Sequence, residues 1–252
     1  MKKIIVFAII AFAFFFVWSQ GLYMPRDIKA AYKNETRSMD GKPGKNYWQN
    51  RGIYNISITA TPPDRTIRGK ETITYFNNSP DTLRNPVIKL FLNIHKPGAP
   101  RNGGVSADYL NSGVHIDAVT ADGKKVNWPN NPFAFTAQQF RLPASLPPHG
   151  SVQLTFDWHY EISLESNREG MIDSTTYFLA YFYPRVAVYD DYNGWDRMPF
   201  MDDHEFYSDF NDYDVTINVP KNYIVWGTGT LQNPGSLLQP AILQLYNQSF
   251  TS

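Results

Sequence analysis

Two-residue alternation, repeated along the chain, constrains this sequence more than any other feature. Val152, Leu154, Phe156 and Trp158 alternate with Gln153, Thr155 and Asp157. Tyr54, Ile56 and Ile58 alternate in the same way with Asn55, Ser57 and Thr59. Successive side chains of a strand point to opposite faces, so each apolar set marks one core-facing row. Further strands are predicted at 67–75, 87–94, 114–120, 125–128, 133–142, 213–219 and 223–226. In the strand at 67–75, Ile73 and Tyr75 carry the apolar phase, and Gly69 and Glu71 precede them. Pro62-Pro63-Asp64, Asn77-Asn78-Ser79-Pro80 and Leu146-Pro147-Pro148-His149-Gly150 supply turns between strands. Asp122-Gly123 between two β runs is a hairpin signal, because both turn positions need φ > 0. No stretch up to Leu231 carries a convincing 3.6-residue period. Strands without intervening helices predict an all-β fold, a large curved, mostly antiparallel sheet or sandwich.

The two ends read differently. Lys2 and Lys3 precede the apolar run Ile4 to Val17, with Ser19 shortly after. That order matches a secretory signal peptide over residues 1–20, cut after Ser19 or Gln20. The run is shorter than the ~20 residues that span a bilayer. The expected location is therefore exported, periplasmic or secreted, with no membrane attachment after cleavage. Residues 21–50 are polar and read as a loosely held lead-in to a β domain at 51–235. In the tail, 236–252, Leu237, Leu238, Ile242, Leu243 and Tyr246 could line one face of a short helix despite Pro240. The residues leave that reading and a non-native ending equally open.

Charge and cysteine exclude several classes. Lys plus Arg number 23 and Asp plus Glu number 23, and no basic run exceeds Lys124-Lys125. A nucleic-acid partner calls for a basic stripe that this chain lacks. With no cysteine, disulfides, thiolate zinc sites and Cys nucleophiles are excluded.

Several local patterns fall short of a site. Gly41-Lys42-Pro43-Gly44-Lys45 lacks the Ser or Thr and the preceding strand of a phosphate loop. Gly227-Thr228-Gly229 has Gln232 at the third glycine position and no βαβ unit around it. Asp190 to Asp214 is dense in carboxylates, with Arg197 its only Arg or Lys. Hard cations want several oxygen ligands, yet Asp190-Asp191-Tyr192-Asn193-Gly194 lacks the EF-hand spacing. Solvated acidic loops are the plainer reading. The aromatics of this region, Tyr181, Tyr183, Tyr189, Trp195, Phe206 and Tyr213, suit core packing or a sugar platform. His95, His115, His149 and His159 are scattered over different strands and turns.

The order of these pieces resembles the N-terminal domain of aminopeptidase N-like zinc metallopeptidases, in their exported bacterial branch. The carriers are Tyr54-Asn55-Ile56, Pro62-Pro63 and Ile67-Arg68-Gly69, then Asp122-Gly123 and the Leu-Pro-Pro turn before the Trp158 strand. The most specific stretch is Tyr183-Pro184-Arg185-Val186-Ala187-Val188-Tyr189-Asp190-Asp191 with Gly194-Trp195. It continues through Glu205-Phe206-Tyr207-Ser208-Asp209-Phe210 and Asp212 to Ile217, and ends at Gly227 to Leu231. The resemblance spans roughly residues 45 to 235 and implies a saddle-like β domain packed against a zinc-bearing catalytic domain.

The chemistry of that family needs H-E-x-x-H on a helix, two His sharing zinc with the Glu as general base. Here His204-Glu205-Phe206-Tyr207-Ser208 places Ser at the second His position, before a strand. The Gly-x-Met-Glu-Asn motif is absent too. Phe178 to Tyr183 offers no acidic or amide anchor ahead of Arg185. No catalytic, cofactor-binding or metal-ligating residue is therefore assigned in this chain, and zinc belongs to the intact family members. The partners implied are the catalytic domain and, through it, peptides. A free-standing exported module for glycans or peptides is the alternative, and it requires a row of exposed coplanar aromatics.

Overall fold

The computed structural model describes residues 23–165 and 168–250. The segment read as an export signal lies outside the described residues. Among the described residues no helix is long and apolar enough to cross a membrane.

The chain is all-β in its main body. Its strands are β1 (Arg51–Thr59), β2 (Thr66–Phe76), β3 (Val87–Lys89), β4 (His115–Ala121), β5 (Lys124–Lys125), β6 (Ala137–Gln139) and β7 (Ser151–Glu161). They continue as β8 (Gly170–Asp173), β9 (Thr176–Phe178), β10 (Arg185–Val186), β11 (Tyr189–Asp190), β12 (Gly194–Trp195) and β13 (Asp212–Asn218). The main sheet has the order β13-β1-β2-β7-β4-β5, and β10-β3-β6 form a second, three-stranded sheet.

Alternation decides which face is dry. Val152, Leu154, Phe156, Trp158 and Tyr160 of β7 are buried, as are Tyr54, Ile56 and Ile58 of β1. In β2 the same phase buries Ile67, Glu71, Ile73 and Tyr75. Gly69 shares that phase and stands opposite Trp158 in register. The indole occupies the space where a side chain at 69 would lie. The turn at Asp122-Gly123 has φ of 48° and 73°, the left-handed geometry that the sequence predicts.

Some elements differ from the sequence-based expectation. β13 runs parallel to β1, so the main sheet is mixed. A parallel neighbour needs a long crossover, and the chain supplies one between Thr59 and Asp212. The predicted strand at 87–94 stops at Lys89 and becomes a 3-10 helix, Phe91–His95, with all five residues buried. A continuous apolar run fits a buried strand or helix equally well. The strand predicted at 133–142 shrinks to β6, and residues 223–226 form none.

The polar lead-in is held rather than loose. It contains the helix α1 (Arg26–Lys33), and Ala31, Thr36 and Asn50 are buried. The Asn50 amide donates to the Tyr75 hydroxyl at 2.9 Å.

Packing divides the chain into two units, the residues through Asn218 and those from Val219 onward. The second unit holds the short helices α2 (Pro234–Leu237) and α3 (Pro240–Gln248). Pro240 sits in the first turn of α3, where its missing N–H has no helical partner to lose. None of the residues 219–250 is buried. Ile224 (78% exposed), Trp226 (79%) and Leu245 (62%) face solvent.

Candidate functional site

Residues far apart in sequence meet beside β1. The Tyr54 ring stacks on Tyr213 of β13, with centroids 5.0 Å apart, and meets Tyr183 edge-on at 5.8 Å. The Val186 N–H donates to the Tyr54 hydroxyl at 3.2 Å, and the Tyr183 hydroxyl donates to that of Tyr213 at 3.0 Å. Arg185 lies over the rings of Tyr183, Phe91 and Phe206 at 5.0, 5.3 and 5.4 Å. Its guanidinium donates to Ser208 Oγ at 2.6 Å. A cation over several ring faces gains from each quadrupole, more so where water is excluded.

Under this cluster lies Glu71. It is 1% exposed, and neither carboxyl oxygen has a hydrogen-bond partner among the described residues. Burial pushes its carboxyl well above the usual range, and the Arg185 charge pulls it only partly back. Asp209 follows the same logic. Burial, with the nearby Asp190 charge, raises it to about 7, although Gln49 hydrogen-bonds to it.

Most of the other carboxylates of the acidic stretch have separate partners. Asp190 accepts from the Tyr207 hydroxyl at 2.8 Å and from the backbone N–H of Asn193 at 2.8 Å. Asp191 receives a two-point grip from Arg37, at 2.9 and 3.1 Å, and a hydroxyl bond from Thr36. Burial pushes Asp191 up, but those bonds outweigh it and leave its carboxyl below the ordinary range. Asp196 pairs with the buried Lys89 ammonium at 2.8 Å. Burial pulls that lysine below its ordinary value in spite of its partner. Asp203 binds Asn102 and His204, Glu205 pairs with Arg168, and Asp212 pairs with Arg51. Among the described residues, no group of three or more His, Cys, Asp or Glu is placed to hold a metal ion. His204 and Glu205 lie in irregular chain, with neither helix nor strand around them.

The aromatics named from sequence are packed against one another. Tyr189 meets Trp195 at 61° and Tyr181 meets Phe206 at 89°, with Phe91 and Phe200 at 90°. Most of these contacts are edge-to-face, while Tyr213 lies stacked on Tyr54 at 24°.

One constellation has no local sequence signal. His95 Nε2 and Glu169 Oε1, both on buried residues, lie 2.5 Å apart. His95 Nδ1 lies 2.9 Å from the Tyr109 carbonyl, which only accepts, so Nδ1 carries a proton and Nε2 faces the carboxylate. With Phe91, Tyr181 and Phe200 they line a cavity of about 20 Å³, room for a single water.

No protein-family profile matches the chain, and no curated protein matches it. Solved structures do. The M1 zinc metallopeptidase from Deinococcus radiodurans is 16% identical, with a TM-score of 0.38, over 76% of this chain and 38% of that one. A variant from the same organism bound to a Tyr-Ser-Ala substrate is 16% identical, with a TM-score of 0.39, over 76% and 39%. A two-domain M1 zinc metallopeptidase variant bound to L-tryptophan is 17% identical, with a TM-score of 0.39, over 76% and 39%. The chain spans about two fifths of the length of these structures.

Proposed function

We propose that this chain is the non-catalytic N-terminal β domain of an exported zinc metallo-aminopeptidase. In the intact protein it packs on the catalytic domain and walls one side of the peptide cleft. One observation carries the reading. The segments on which the sequence resemblance rests, around Tyr54, Tyr183 to Trp195 and Glu205 to Tyr213, converge in a single packed network. In that network Arg185 is committed to aromatic rings and Ser208, and the acidic groups of 190–212 are mostly committed to internal partners. Such an arrangement supports a scaffold role.

A second observation supports a missing neighbour. The unit from Val219 onward exposes Ile224, Trp226, Leu237, Leu245 and Phe250. Large apolar side chains left in water mark surfaces that other polypeptide covers.

Two assays on the purified chain test this. With zinc added, an aminoacyl p-nitroanilide should not be hydrolysed, whereas chelator-sensitive turnover would overturn the assignment. A hydrophobic dye should bind, and Trp226→Ser with Ile224→Ser should weaken the signal. A monodisperse chain without dye binding would remove the packing face.

A further inference from the structure

The two edges of the main sheet are finished differently. One ends in β5, only Lys124 and Lys125, and short lysine-bearing strands discourage pairing. The other ends in β13, seven residues long and exposed throughout. Its bonding directions can be worked out. The Ala60 N–H donates to the Asn218 carbonyl at 3.0 Å, so Asn218 bonds toward β1. Backbone groups alternate sides along a strand. Asp212, Asp214, Thr216 and Asn218 therefore face β1, and Tyr213, Val215 and Ile217 direct their N–H and C=O groups to the open edge.

The same three residues carry apolar side chains. They stand in register with the buried Tyr54, Ile56 and Ile58, yet are 45%, 40% and 37% exposed. The core row of β1 thus continues onto an edge strand that no described residue fully covers.

We propose that β13 pairs with β13 of a second copy of this chain, antiparallel about a twofold axis through Val215. In this register Val215 meets Val215, and Tyr213 meets Ile217 on either side. All three outward-bonding positions then face outward-bonding positions, giving six backbone hydrogen bonds and a continuous apolar row. On the opposite face each Asp meets a neutral partner: Asp212 faces Asn218, and Asp214 faces Thr216. Shifting the axis to residue 214 sets Asp214 against Asp214, and like charges directly opposite destabilise a pair. Shifting it to residue 216 sets Tyr213 against Val219, beyond the end of β13, and leaves only four of the six bonds within the strand. The sequence of β13 therefore selects one self-complementary register.

The test uses the full chain, whose lack of cysteine makes a single introduced thiol unambiguous. Facing residues of a bonded antiparallel pair lie ~5.5 Å apart at Cα, within disulfide reach. Val215→Cys should oxidise to a covalent dimer, and Asn55→Cys, one strand inward, should not. By light scattering the parent chain should show a concentration-dependent dimer. Val215→Lys and Val215→Glu should each weaken it about tenfold or more, and a one-to-one mixture of the two should restore it. Circular dichroism of each variant checks that the fold is kept. A parent chain that stays monomeric at every concentration, or Val215→Cys that cross-links no faster than Asn55→Cys, overturns the proposal and leaves the edge to a strand of other polypeptide.

Discussion

Adding one methyl group at Gly69 should unseat Trp158. The two residues face each other across β2 and β7. A Cβ built on Gly69 would stand 2.6 Å from indole Cη2 and closer still to Cζ2 and Cε2. Carbon atoms pack best at about 3.5–4.0 Å, so the ring must retreat by about an ångström. It has little room, being 1% exposed and stacked on Tyr160 at 6.0 Å. Overpacking a filled core costs about 1–3 kcal/mol, and a rigid bicyclic ring places Gly69→Ala near ~3 kcal/mol. At roughly 2–4 °C per kcal/mol for a domain of this size, the midpoint should fall by about 6–12 °C. Trp158→Phe alone should cost about 1–2 kcal/mol in lost packing. In the double variant the clash is relieved, so the two costs should fall short of additive by about 1 kcal/mol or more. Urea denaturation followed by circular dichroism measures all four proteins. A Gly69→Ala variant within about 0.5 kcal/mol of the parent, or strict additivity with Trp158→Phe, refutes the reasoning.

Three further outcomes are expected. Asp209 has its folded value raised from 3.8 to about 7, so its contribution is fully present below about pH 4 and lost as pH rises through about 7. At about 1.4 kcal/mol per pH unit that gap is ~4 kcal/mol, which partial exposure screens to about 2; Asp209→Asn should flatten the fall in stability between pH 5 and pH 8. Glu71 is raised in the same sense, so Glu71→Gln should match the parent's melting temperature at about pH 4 and exceed it increasingly as pH rises. Lys89→Met strands Asp196 as an unpaired buried charge and should cost about 3–5 kcal/mol in chemical denaturation.

The long strands were legible because their apolar phase is unbroken, as in Val152 to Trp158 and Tyr54 to Ile58. Glu71 was legible in position but not in consequence. It sits in phase with Ile73 and Tyr75, and phase alone buries it. The parallel pairing of β13 with β1 was hidden, since local alternation carries no information about a partner strand so distant in sequence. α1, eight residues long with only Ala31 buried, was missed inside a segment read as a polar lead-in. The partners of the acidic stretch were invisible for another reason. Lys89 reaches Asp196, Arg37 reaches Asp191 and His95 reaches Glu169 only after the sheets form. Sequence density favoured solvated acidic loops over a cation site, and the fold gives most of these acids separate internal partners.

The central claim is that this β domain belongs beside a zinc-bearing catalytic half. Reading the native locus beyond codon 252, in all forward frames, tests it most directly. The account predicts Gly-x-Met-Glu-Asn followed by H-E-x-x-H shortly downstream. A locus with neither motif in any frame would contradict it and leave a self-contained β domain.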